Sequence, residues 1–581
     1  MAIALFVSLL IALGVIPILA GRYLSAKDLG VDPAAEPTRR DGSGPLPRDS
    51  GLNHAYRRLM RWALHRPWIL AILLPAMGIG GFGLYRSLGS GFLPYVDEGG
   101  FVIDYQTPPG TSLAESDRLL RKIETILQHE PAVQSYSRRT GLQLGGGVTE
   151  ANQGDFLVKL KPFPRPPIDA VIRDVRTKIN QQLPELDIDF AQRMEDLIGD
   201  LTSVPQPVEI KVFGDDVPTI ERVAVQVAAE ISKVKGVVDV FDGITIAGPS
   251  VRVRVDPLLA GRYGLSAGAV QGALRTAIGG TVATTMISGQ KQIGLRVQFP
   301  GASQLGVRSL AQLRLPVGNQ TVALQDVARI ERVPGSAELD AENFKPMVAV
   351  TARLEGVSLG RGIANIKRAL GSHLTLPSGV YLEYGGVYQE QQKSFQGLLA
   401  VLVTALLLVF LVLLFEFGSF RIPISVFVVD VLSLFGVLLA LKVTHTPLNI
   451  SSLMGMVMIV GIVAENAIFF LHYVDDFKLR GLPLDEALIR AGQVRMRPIA
   501  MTTLAAVLAL LPLALGMGAG AQMQQPLAIA VIGGFSFSML LLLLVLPVLY
   551  RLFLGQRAKP GDGPRTRALK SEELYPRTVG T

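Results

Sequence analysis

Apolar residues gather toward the two ends of this chain and leave its middle polar. Runs at 3–20, 68–86, 396–415, 423–441, 453–473, 499–516 and 527–549 reach or approach the length of one bilayer-crossing helix. Seven spans are therefore expected. For 3–20 a cleaved signal peptide is the rival reading, but no Lys or Arg precedes the run. From 87 to 394 no run has membrane length, and the pattern changes to strand–helix–strand units. The first places a strand at 102–107, a helix at 111–127 and a strand at 132–139, with Ser112 as N-cap and Glu115 three residues on. The second places them at 208–214, 220–234 and 236–242, and the third at 347–354, 360–370 and 380–386. Repeated units of this length point to split βαβ, ferredoxin-like subdomains. A block at roughly 256–335 interrupts them, with short helices at 257–263 and 266–277 and a strand at 292–299. The fold class expected is an α-helical membrane bundle carrying an α+β insert.

Between the first two runs, 30–51 is rich in Pro, Gly and Asp and reads as a linker. Over 52–66, Leu52, Tyr56, Leu59, Met60 and Ala63 share one helical face, with arginines on the other. That pattern fits an amphipathic helix on the inner membrane surface, with an ordinary surface helix as the alternative.

Charge adds orientation. Basic residues crowd 21–66, 474–497 and the tail after 550, and the 416–421 turn has Arg421, whereas 443–450 contains neither Lys nor Arg and 517–526 likewise. The positive side is cytoplasmic, so the large insert is expected outside the cytoplasm and the N-terminus with it. The net charge of +8 is accounted for in this way without a nucleic-acid partner. Hydrophobic residues make up 49% of the chain, which fits membrane helices plus a large water-exposed part. The absence of cysteine excludes disulfides, thiolate metal sites and cysteine nucleophiles, and six scattered histidines make no zinc spacing. No P-loop, Rossmann or GxSxG pattern is present, so no cofactor is expected, and neither enzymatic activity nor nucleotide-driven pumping.

The candidate chemistry lies in the membrane. Glu465 sits near the middle of the 453–473 run, where a carboxylate costs roughly 2–3 kcal/mol on insertion scales. A proton- or ion-coupling role is the default reading for such a residue, and a protonated Glu bonded within the bundle is the plain one.

Several stretches, taken together and in order, carry a family resemblance: GSGFLPYVDEGGF (89–101), QTPPGTSLAES (106–116), TPLNISSLMGMVMIVGIVAENAI (446–468), RMRPIAMTTLAAVLALLPLALGMG (495–518) and PLAIAVIGG (526–534). The chain resembles the C-terminal half of a resistance–nodulation–cell-division (RND) efflux permease, from the sixth span of twelve onward. The resemblance implies porter subdomains at 89–205 and at 206–255 with 340–394, and a docking subdomain at 256–339. It also implies a five-helix membrane region at 395–550 and a cytoplasmic tail at 551–581. Glu465 stands where the family has an ionisable residue in its tenth span. Thr502 and Arg495 match eleventh-span residues associated with proton relay, with helix back-bonding and membrane anchoring as their plain readings. Asp430, midway along the ninth span, departs from the apolar residue expected there. Asp104 and Asp200 fall about where the metal-exporting branch has methionines, and Gly145, Gly146 and Gly147 read as a flexible loop at the cleft, with a plain hairpin tip as the alternative. Carboxylates in place of thioethers disfavour copper and leave harder or borderline cations. The implied energy source is the proton gradient. The implied partners are the N-terminal half, a periplasmic adaptor and an outer-membrane channel, in an inner-membrane homotrimer.

Three functions follow from this reading. The first is proton-driven export of hydrophobic or amphiphilic compounds. The second is heavy-metal cation export, favoured by Glu465 and disfavoured by the missing porter methionines. The third is a transport-inactive membrane scaffold, since the acidic pair of the family's fourth span has no counterpart in this sequence.

Overall fold

The computed structural model describes residues 51–554, apart from 142–151, 203–205, 246–247, 249, 290, 299–306, 318–319, 334–339 and 519, together with 11–15, 18 and 22. The run at 3–20 lies largely outside the described residues. Among the described residues, six helices are long and apolar enough to span a membrane.

The chain enters through α1 (Gly51–Leu64), which lies across the end of the bundle. It buries Tyr56, Met60 and Leu64 in the same apolar core as the membrane helices, and leaves Leu59 and Trp62 exposed. The amphipathic stripe read from sequence thus splits, and its larger part meets protein. The first membrane helix, α2 (Trp68–Ser87), then leads to the α/β insert.

The first subdomain contains β1 (Gly100–Gln106), α3 (Leu113–His129), β2 (Val133–Thr140), β3 (Gln153–Leu160), α4 (Ile168–Gln182) and β4 (Asp187–Gln192), followed by α5 (Arg193–Thr202). Its sheet runs β2-β3-β1-β4, all antiparallel, the split βαβ order. Phe101, Ile103 and Tyr105 of β1 alternate inward onto α3 and α4, so Val102, Asp104 and Gln106 face the other way. Ser112 caps α3 by accepting from the Glu115 amide at 3.3 Å.

The second subdomain repeats the plan with β5 (Val208–Phe213), α6 (Val217–Ile231), β6 (Val237–Phe241), β14 (Lys345–Leu354), α11 (Leu359–His373) and β15 (Tyr381–Gly385). Its sheet is β6-β14-β5-β15, with β13 (Asp340–Glu342) added beside β14. Between β6 and β13 a ribbon of β7 (Ser250–Val255) and β12 (Ala328–Val333) carries a small core of its own. That block holds α7 (Pro257–Arg262), α8 (Ala267–Ile278), the hairpin β8–β9 (Thr281–Ser288, Lys291–Val297), α9 (Val307–Ala311), β10 (Arg314–Val317), β11 (Gln320–Ala323) and α10 (Leu324–Val327).

The membrane region continues with α12 (Val387–Phe417), α13 (Arg421–Val443), α14 (Ile450–Leu479), α15 (Leu484–Ala514) and α16 (Ala521–Leu540), the last prolonged through a π-helical turn at Leu541–Val545 to Leu554. Helix α16 is central and packs on α13, α14 and α15. It approaches α13 closely because glycines meet: a Cβ on Gly533 would lie 2.7 Å from the Gly436 carbonyl oxygen. Apolar helices gain little from the hydrophobic effect in lipid, so backbone approach through small residues carries much of such packing. The insert rests on the ends of α2, α13 and α16, where the Asp97 amide donates to Gln522 at 2.7 Å and the Arg361 guanidinium to the Ser87 carbonyl at 2.5 Å.

Candidate functional site

Strand register places three aspartates side by side across the first sheet. Asp104 of β1 stands opposite Asp155 of β3 on one side and opposite Asp189 of β4 on the other. Directly opposed like charges destabilise a sheet unless something compensates them. Asp155, fully buried, is held by both nitrogens of a two-pronged contact from Arg139, each at 2.7 Å. Asp189 takes a similar fork from Arg353 of the second subdomain, with Nη2 at 2.9 Å. Asp104, in the middle, has no ion pair or side-chain hydrogen bond among the described residues. Burial first, then the nearby carboxylates of Asp196, Asp189 and Asp155, push its pKa up to about 8.

Asp104 and Asp189 of this row face a cavity of about 610 Å³ between the two subdomains. Among the described residues, five aspartates line it, Asp104, Asp187, Asp189, Asp196 and Asp239, against a single arginine, Arg353. Arg353 also donates to Glu195 at 2.8 Å, and Arg176 joins the subdomains again through Asp239 at 2.8 Å and Glu355 at 2.5 Å. Burial disfavours the charge on Arg353, but Asp189 and Glu195 outweigh it and hold the pKa above its ordinary value. Among the described residues, no three His, Asp or Glu side chains converge closely enough to cage a metal ion. The arrangement is an open, acidic cleft whose walls are locked by arginine.

Of the cleft residues expected from sequence, Asp104 lies in this wall. Asp200 belongs to α5 but its side chain is outside the described residues, as are Gly145, Gly146 and Gly147. Asp155, Asp189, Asp239 and Arg353 were not anticipated. The alternation Asp187, Asp189 in DIDF carried a signal of paired carboxylates on one strand face.

The membrane candidates divide into two sets. Glu465 lies halfway along α14 on an exposed stripe with Met454, Gly461, Phe469 and His472, and makes no ion pair or hydrogen bond among the described residues. Arg495 of α15 comes to the same face, its guanidinium 4.9 Å from the Phe469 ring, one turn from Glu465. Thr502, two turns along α15, bonds back to the Pro498 and Ile499 carbonyls at 3.1 and 3.0 Å. Asp430 is separate: it is fully buried in α13, neither carboxylate oxygen has a hydrogen-bond partner among the described residues, and no bond joins it to Glu465.

Known proteins resemble this chain in sequence and in fold. The model of the AcrB/AcrD/AcrF family matches residues 1–554. The cobalt-zinc-cadmium resistance protein CzcA of Cupriavidus metallidurans is 31% identical over 478 residues, 80% of this chain and 45% of that protein. The multidrug resistance protein MdtC of Pectobacterium carotovorum is 26% identical over 88% of this chain and 49% of its own length. The crystal structure of a heavy metal efflux pump superposes with a TM-score of 0.76 at 26% identity, covering 86% of this chain and 52% of the pump. The chain thus spans about half the length of the relatives it matches. With the family match over nearly all of the sequence and the same fold in a solved pump, this chain belongs to the AcrB/AcrD/AcrF family of RND permeases.

Proposed function

We propose that the chain contributes one half of an inner-membrane permease that exports divalent heavy-metal cations through the cleft between its two α/β subdomains. The observation that carries this reading is the row Asp155–Asp104–Asp189, whose central carboxylate lacks a cation in a cavity lined by five aspartates. Oxygen ligands of this kind suit borderline or harder cations such as Zn²⁺ and Co²⁺ over Cu(I). The cavity would collect partly hydrated ions, since its ligands are spread along the wall. A hydrophobic or amphiphilic cargo, the first expectation from sequence, fits such a lining poorly, although MdtC keeps multidrug export as the second reading. In the same reading the α/β subdomains are porters, the 250–333 block docks an outer-membrane channel, and export is driven by protons through Glu465. A homologous half, a periplasmic adaptor and a homotrimeric assembly complete the pump.

The test is Asp104→Asn in cells of a metal-sensitive host that also carry the homologous half. Zinc and cobalt should accumulate at several times the level seen with the unaltered chain, while membrane protein content stays the same. Unchanged metal accumulation, with a lost export of dye in its place, would support the multidrug reading instead.

A further inference from the structure

A second cavity, about 880 Å³, lies where the insert rests on the membrane helices, and its floor differs from its walls. In the walls the acids have donors: Glu355 meets Arg173 and Arg176, and Glu195 meets Arg353. The floor holds cations instead. Arg361 donates to the Ser87 carbonyl at 2.5 Å, and Lys442 donates to that same oxygen at 3.4 Å. Two positive groups therefore sit within about 6 Å of each other on one neutral acceptor. Neither makes an ion pair among the described residues. Ser358 adds a second, independent sign. It is the N-cap of α11, yet its side chain caps no amide, and its buried hydroxyl oxygen has no partner among the described residues. Gly89 allows the chain to pass close by, since a Cβ there would lie 2.7 Å from the Ser358 hydroxyl. The amino end of a 15-residue helix, two cations and an idle hydroxyl thus line one cavity.

We propose that this floor binds a phosphate ester, the headgroup of a phospholipid in the leaflet on the insert side. Ser87 ends α2 and Lys442 lies in the last turn of α13, which places both cations at the height of lipid headgroups. A phosphate between them answers their mutual repulsion with charge-assisted hydrogen bonds, and the Ser358 hydroxyl donates to a third oxygen. Its place is apart from the aspartate row, so it stands whichever cargo the cleft carries.

Native mass spectrometry of the delipidated 581-residue chain in uncharged detergent tests the proposal, with phosphatidylglycerol, diacylglycerol of the same chains, and inorganic phosphate as probes. Phosphatidylglycerol should bind well above diacylglycerol, and Arg361→Gln with Lys442→Gln should weaken it about tenfold. Ser358→Ala should weaken it less, and Arg421→Gln, at the other end of the bundle, should leave it unchanged. Inorganic phosphate that binds in place of the lipid, with the same sensitivity to both substitutions, assigns the site to the free ion. Equal phosphatidylglycerol binding by the unaltered chain and the double variant, with no retention of phosphate, overturns the proposal.

Discussion

Asp104 shows what a single residue draws from its neighbours. A carboxyl whose pKa is pushed up to about 8 carries its proton at neutral pH, so an arriving cation must displace that proton. Cation affinity should rise with pH, by up to tenfold per unit below about 8, and level off above it. Calorimetric titration of the purified chain with Zn²⁺ between pH 6 and 9 measures this, and Asp104→Asn should flatten the profile. The same shift bears on stability. The unfolded carboxyl ionises near its ordinary value while the folded one does not, so this residue's contribution should fall from about pH 4 to about pH 8 and then stay level. In the membrane, Glu465→Gln should abolish proton-dependent export in cells supplying the homologous half, without loss of inserted protein, because an amide cannot load and release a proton. Glu465 was legible because a carboxylate in an apolar run stands out. Asp155 and Asp189 were not, since they meet Asp104 only through strand register. Asp430 was visible too, but its place in the buried core, apart from Glu465, depends on how helices rotate against one another.

At the scale of elements, periodicity located most of what the structure contains. The three strand–helix–strand units fall within a few residues of their expected bounds, and the short helices of the intervening block do as well. The second half of the first subdomain, β3, α4 and β4, escaped notice. Its strand β4 reads DIDFAQ, where acids interrupt the apolar pattern because that face lines the cleft. Helix α12 also begins earlier than its apolar run, with VYQEQQKS forming its polar, half-buried first turns. Packing between helices is the part that hydropathy does not report. At the α13–α16 crossing, Gly533→Val would press branched methyls into the Gly436 backbone and Ala440. Overpacking of this kind costs roughly 1–3 kcal/mol, which should appear as a lower midpoint in thermal unfolding of the purified chain. Gly83→Val, whose Cβ would meet nothing within 4 Å, is the matched control.

Across the whole molecule, orientation is the expectation that rests most directly on charge. The α/β insert and α1 lie at opposite ends of the bundle, so they must face opposite compartments. A cysteine at Ser288, in the exposed β8–β9 hairpin, should react with an impermeant thiol reagent in cells whose outer membrane has been permeabilised. One at His54 of α1 should react only after lysis, and the chain's lack of cysteine keeps both signals clean. The opposite labelling would reverse the assignment made from the arginine-rich loops. Sequence reached this level because the positive-inside bias is a property of composition. It could not reach the cleft, which exists only once two separate sheets are locked by Arg353 and Arg176.

Tyr56 of α1 donates its hydroxyl to the Leu543 carbonyl at 2.9 Å, inside the π-helical turn of the last membrane helix. A π turn leaves carbonyls without their usual helical amides, and here a side chain from 487 residues upstream supplies the missing donor. Arg551 reaches back in the same way to the Leu64 carbonyl. Helix α1 is therefore completed by a membrane helix that is synthesised 487 residues later. Helix α15 offers part of the docking surface of α1 earlier, through Glu486 and Gln493, but until synthesis has passed Arg551 the surface is incomplete and Tyr56 lacks its acceptor. Translation itself sets the clock for closing the bundle.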